Sequence, residues 1–147
     1  MWTVRSEKNS LYNIIAYIEQ DPYLFPIPFR DNIQIGNLNA SENEFNEVVK
    51  KLQIGYLVNR VNCASDQLSG GEKQKISIAR ALLKKAPIII MDEPTNNLDK
   101  DSKKWLIEFI KQSCETIIFV SHDSDLLSLA NITITLWLYV IDVNYYE

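Results

Sequence analysis

The chain predicts an α/β fold with buried parallel strands, and three features carry that expectation. Ile88 to Met91 is a short, wholly apolar run, preceded by Pro87 and followed by the carboxylates Asp92 and Glu93, as in a buried parallel strand. Thr116 to Val120 is a second run of this kind, β-branched and apolar. Between the turn residues before them lies a helix: Ser69 and Glu72 have capping-box spacing, and Ile76, Ala79, Leu82 and Leu83 recur at the helical period.

The remaining elements follow in order. Asn13 to Ile18 reads as a strand, broken by Glu19-Gln20-Asp21-Pro22. Asn37 to Ser41 is a polar turn, and Ser41 with Glu44 forms a second capping box, opening a helix with the stripe Phe45, Val48, Val49 and Leu52. Gly55 is expected to end that helix, with Tyr56 to Val58 packing beneath the helix that starts at Ser69. Farther on, Asp101 is expected to cap a helix carrying Trp105, Leu106, Phe109 and Ile110. Ser124 to Ala130 reads as a short helix, and Ile132 to Leu136 alternates as a strand.

Bulk properties narrow the function. At 147 residues and 46% hydrophobic content the chain can bury one core. A net charge of -4 with both signs interspersed provides no basic face, so nucleic acid is not an expected partner. Cys63 and Cys114 form no CxxC pattern and have no neighbouring histidine, which argues against a disulfide framework or zinc site and for a reducing compartment. The first residues lack the apolar region of a secretory signal, and the longest apolar stretch, Leu136 to Ile141, is too short to cross a bilayer.

The chemistry of the central stretch points to phosphate. A helix N-terminus presents unpaired amides and the positive end of a dipole, and glycines allow an anion close to the backbone. Ser69, Gly70 and Gly71 can therefore cradle a phosphate. Asp92 and Glu93 stand where open α/β sheets place ligands; one carboxylate can hold Mg2+ while its neighbour orients or deprotonates a water.

Leu68-Ser-Gly-Gly-Glu72 resembles the ABC signature motif, Ile88 to Glu93 a Walker B strand, and Pro94 to Asp99 a D-loop. The set resembles the second half of the ATP-binding cassette of exporter-like ABC ATPases, over about residues 14 to 136. The resemblance implies a partial P-loop NTPase-type core of parallel strands with an inserted α-helical subdomain. On that reading residues 1–30 and 85–147 belong to the core and 31–84 to the helical part. It implies ATP and Mg2+ as cofactors, with Asp92 on the metal and Glu93 on the attacking water. Gln20, in a Q-loop-like Gln20-Asp-Pro-Tyr-Leu-Phe25, would contact the metal or the attacking water, and His122, in Ser121-His-Asp123, would meet the γ-phosphate. Ser69, Gly70, Gly71 and Glu72 would face a nucleotide held by another segment, and Asp99 would bridge to a second cassette.

The implied partners are a second nucleotide-binding domain, arranged head to tail, and a transmembrane domain that holds the chain at the cytoplasmic face. Glu72-Lys73, Pro94-Thr95-Asn96 and Ser121-His122-Asp123 also resemble soluble ABC proteins that act on ribosomes, and a degenerate, non-catalytic cassette is a third reading. Three departures stand out. Cys63 occupies the place of the glutamate of the exporters' X-loop, Glu72 replaces the usual glutamine, and the register fails from Trp137 to Glu147. None of the four glycines is followed by lysine, so this stretch contains no GxxxxGK[ST]. By itself the chain is therefore expected neither to bind nor to hydrolyse ATP, and to leave apolar sheet surface uncovered.

Overall fold

The computed structural model describes residues 13–59 and 68–134. Three short strands, β1 (Ile15–Ile18), β2 (Ile88–Asp92) and β3 (Thr116–Val120), make a parallel sheet in the order β1-β2-β3. Parallel neighbours require crossovers, and helices supply them. Between β1 and β2 run α1 (Phe29–Gln34), α2 (Glu42–Lys51), a 3-10 turn (Gly55–Asn59) and α3 (Gly70–Leu83); α4 (Lys100–Gln112) joins β2 to β3, and α5 (Ser124–Leu127) follows. The α/β class and the parallel strands are as the sequence predicts.

β2 is central because it is paired on both sides: Ile18 lies beside Met91, and Met91 beside Phe119. Side chains alternate across a strand, so Ala16, Ile18, Ile89 and Met91 share one face. All four are buried, in a core completed by Ile76, Ile78, Ala79 and Leu83 of α3. Burying each large aliphatic side chain contributes about 1.5–3 kcal/mol. The stripe read from the sequence is thus the one that packs, with Leu82 only partly buried.

The opposite face is open. Tyr17, Ile118 and Val120 are 56%, 50% and 59% exposed, and among the described residues β3 is at the edge of the sheet, so it is not the buried strand expected. Its β-branched residues fit a pleated, half-buried surface as well as a fully buried one, which is why composition misleads there.

Other expectations need local correction. Asn13 and Ile14 are helical, and β1 begins at Ile15. Gln53, at φ 55°, is the left-handed residue after α2, and Gly55 instead begins the 3-10 turn. Asp99, not Asp101, caps α4, because its carboxylate accepts from the Ser102 amide at 2.7 Å. The last helix stops at Leu127, and Ile132 to Ile134 are exposed and not in a strand. Arg60 to Gln67, which include Cys63, and the stretch from Thr135 to Glu147 lie outside the described residues. Cys114 is a free, exposed thiol. Among the described residues no helix is long and apolar enough to cross a membrane.

Both capping boxes form. In α2, Ser41 Oγ accepts from Glu44 N at 3.3 Å and Glu44 Oε2 accepts from Ser41 N at 2.8 Å. Lys85, just past α3, donates to the same carboxylate, so α2 is pinned to the end of α3. The Lys85 ammonium and the Ser41 groups hold the Glu44 carboxyl well below its usual 4.5, at about 2. Because the folded value is depressed, this stabilisation is complete above pH 4.5 and disappears as pH falls toward 2. A carboxyl NMR titration should place the Glu44 midpoint near 2 and, in Lys85→Met, closer to 4.5. A wild-type midpoint at the ordinary value would contradict this tie.

Candidate functional site

The parallel register brings the carboxyl ends of all three strands to one edge, and the chemistry sits there. Asp92 ends β2 opposite Val120. Its face follows from the alternation: Met91 points into the core, so Asp92 stands on the open side with Tyr17. The Tyr17 hydroxyl donates to Asp92 Oδ2 at 3.1 Å, and that carboxylate raises the Tyr17 pKa. Sequence reasoning missed Tyr17; counting one residue back from buried Ile18, onto the opposite face, and applying the strand register would have found it.

Glu93 begins the turn after β2 at φ 40°, a left-handed conformation uncommon for a side-chain-bearing residue. Its amide continues the ladder by donating to Val120 O at 2.9 Å. That geometry brings the side chain back across the strand ends: His122 Nε2 lies 3.4 Å from Glu93 Oε1, and the His122 amide donates to Glu93 Oε2 at 3.4 Å. The Glu93 side chain is largely buried at 15% exposure, whereas His122 is almost wholly exposed at 97%. The loop carrying His122 is fixed from behind. Asp123 caps α5 and, together with Asp125, receives Lys103 Nζ from α4 at 2.8 Å; the lysine lowers the Asp123 pKa.

Gln20 follows β1 by two residues on this same edge. It is exposed, and among the described residues it has no hydrogen-bond partner. The structure thus joins Glu93 to His122 directly, places Asp92 beside them in the chain, and leaves Gln20 free at the neighbouring strand end.

The glycine-rich helix start forms a second group. Ser69 caps α3 reciprocally with Glu72: Ser69 Oγ accepts from Glu72 N at 3.2 Å, and Glu72 Oε2 accepts from Ser69 N at 2.8 Å. The Glu72 carboxylate is therefore directed back at its own helix. Ser69 is exposed, Gly70 half-buried and Gly71 buried. The first-turn amides of Gly70 and Gly71 have no partner within the helix.

Each glycine permits a close approach. A Cβ on Gly70 would lie 2.7 Å from Asn97 O, and one on Gly71 would lie 2.1 Å from Ser102 Oγ. The start of α3 is thereby set against the turn at Asn97, itself left-handed at φ 60°, and the first turn of α4. Asp99 is the cap of that turn; the bonds from Ser102 lower its pKa. Sequence reasoning missed Ser102 and Asn97, since nothing local in the chain marks a contact between two helix starts.

A profile described as "ABC transporter" matches residues 3–96, more than half of the chain. The chain belongs to the ABC transporter family. It is 39% identical over 126 residues to the lactococcin-A transport/processing ATP-binding protein LcnC of Lactococcus lactis subsp. lactis, covering 79% of this chain and 18% of that protein. It is 38% identical over 123 residues to the molybdenum import ATP-binding protein ModC of Haemophilus influenzae, covering 80% of this chain and 34% of that protein. Among solved structures, a bacterial Atm1-family ABC exporter with ATP bound superposes with a TM-score of 0.70 at 28% identity, over 82% of this chain and 23% of the other. The chain therefore spans a minor part of the length of these ABC transporter relatives.

The tight glycine contact yields a stability test. Gly71→Ala should cost about 1–3 kcal/mol by forcing α3 away from α4. Ser102→Gly in the same chain should recover part of that loss in a denaturant titration. A destabilisation unaffected by Ser102→Gly would show that the two helix starts do not touch.

Proposed function

We propose that the chain is part of the nucleotide-binding domain of an ABC exporter and contributes the hydrolytic edge of an ATP site whose phosphate grip comes from another segment. The observation that carries this reading is the pairing of Glu93 with His122 at the strand ends beside Asp92. A base and a γ-phosphate partner held together, one largely buried and one exposed, is what activation of a water against a terminal phosphate requires.

The residues fit Mg2+ in a limited way. Among the described residues no cluster of three metal-ligating side chains exists, so the edge is not a stand-alone cation site. Mg2+ bound with a nucleotide needs only one or two carboxylates, the rest coming from phosphates and water, and Asp92 with Gln20 meets that demand. When bound, the cation would neutralise charge on the transferring phosphoryl group. Glu93 then accepts the proton of the attacking water, and the His122 ring donates toward the phosphate.

Ser69, Gly70 and Gly71 act at a different nucleotide, that of a second cassette arranged head to tail, through the first-turn amides at the α3 start. Asp99, in the adjoining turn, lies at the boundary with that partner. The exposed side chains of Tyr17, Ile118 and Val120 suit a covering by the phosphate-gripping segment in the whole protein, and this stretch, with no GxxxxGK[ST], does not by itself grip the phosphates for hydrolysis. Export is favoured by Arg30-Asp31-Asn32-Ile33, which resembles the exporter-type cassettes, and a membrane-spanning partner places the domain at the cytoplasmic face.

In the full-length protein carrying this chain, Glu93→Gln should reduce steady-state ATP turnover by a factor of about a hundred or more while nucleotide stays bound. Turnover equal to wild type would remove Glu93 from the reaction.

A further inference from the structure

The loop of residues 19–28 between β1 and α1 presents an aromatic ledge. Tyr23 and Phe25 are 63% and 43% exposed, with ring centroids 5.1 Å apart in an edge-to-face arrangement. A loop of this exposure is ordinarily independent of distant helices. Here it is held by two side chains outside the loop, Asn32 a few residues on and Arg80 far along the chain.

Asn32, on α1, is fully buried and uses both ends of its amide. Its Nδ2 donates to Phe25 O at 3.0 Å and to Ile27 O at 2.8 Å, while its Oδ1 accepts from Phe25 N at 3.1 Å. Arg80, on α3, closes the arrangement. Its Nε donates to Asn32 O at 2.8 Å, Nη2 to Asn32 Oδ1 at 2.5 Å and Nη1 to Tyr23 O at 2.7 Å. The guanidinium also lies 5.6 Å from the Phe25 ring centroid. One planar fork thus grips the ledge and the helix that folds over it, a task for which a lysine's single ammonium has too few donors. The approach is close enough that a Cβ on Gly36 would lie 2.2 Å from Arg80 O. A second link, Lys73 Nζ to Asp21 Oδ1, is 3.9 Å long and solvent-exposed, so it adds little.

We propose that Arg80 and Asn32 are positioning residues that make the Tyr23–Phe25 ledge and the α3 helix one mechanical unit. Engagement of nucleotide at Ser69–Gly71 is thereby passed to the ledge without an intervening joint. The inference rests on the functional reading above for the nucleotide, but the latch itself rests on the bonds.

Hydrogen exchange of the full-length protein tests it, with and without a non-hydrolysable ATP analogue and Mg2+. In wild type, peptides covering 70–73 and 23–28 should gain protection together when the analogue is added. In Arg80→Lys, and separately in Asn32→Asp, which keeps an acceptor for the guanidinium but lacks donors for the two carbonyls, the 70–73 peptide should still gain protection and the 23–28 peptide should not. Without nucleotide, the variants should exchange about tenfold faster than wild type over 23–28, with 76–83 unchanged.

Ledge protection that persists in both variants overturns the latch, and so does faster exchange along all of α3, which would make Arg80 merely a fold-stabilising residue. If the analogue protects nothing in wild type, the functional reading fails. The nucleotide-free comparison then decides alone: selective loosening of 23–28 supports the latch, and no loosening overturns it.

Discussion

The constraint on which the rest depends is the double parallel pairing of β2. A strand bonded in parallel on both sides must end at the same edge as its neighbours. Residues far apart in the chain, Gln20, Asp92 and His122, are brought to that edge by nothing more than ladder geometry. Open α/β sheets bind ligands at this edge because the chain there turns away from the core while its backbone and side-chain polar groups remain available. In this chain the backbone of Glu93 adds a further twist: its left-handed conformation directs a carboxylate across to His122 instead of into solvent.

The two helix starts form the complementary part of the design. α3 begins where glycine lets it touch the turn that caps α4, so the amides of Gly70 and Gly71 and the carboxylate of Asp99 occupy one region. Glu72 illustrates how a departure from a family pattern can have a local cause. Its carboxylate closes the capping box on the Ser69 amide, which is the place a carboxylate is most favourable on a helix. The exposed side chains of Tyr17, Ile118 and Val120, by contrast, have no such local cause.

What could be read in the sequence was whatever depends on near neighbours. The two capping boxes, the α3 stripe and the strand ending at Asp92 are local patterns, and the structure contains each of them. Errors arose where two neighbouring residues could serve one purpose. Asp99 and Asp101 can both accept amide bonds, but only Asp99 lies three residues before the Ser102 amide; Gln53 and Gly55 could both end α2, and the chain turns at the first. Contacts set by packing were invisible: Tyr17 with Asp92, Gly71 with Ser102, and Arg80 with Asn32 are each separated by many residues.

Asp92 at this edge is proposed to hold the cation of a bound nucleotide, and exchanging the metal tests that role. In the full-length protein, Asp92→Cys should lose Mg2+-dependent ATP turnover and recover part of it with Cd2+, by about tenfold or more over Mg2+, because a thiolate prefers the softer ion. Equal loss with both metals, or unchanged turnover with Mg2+, would contradict it.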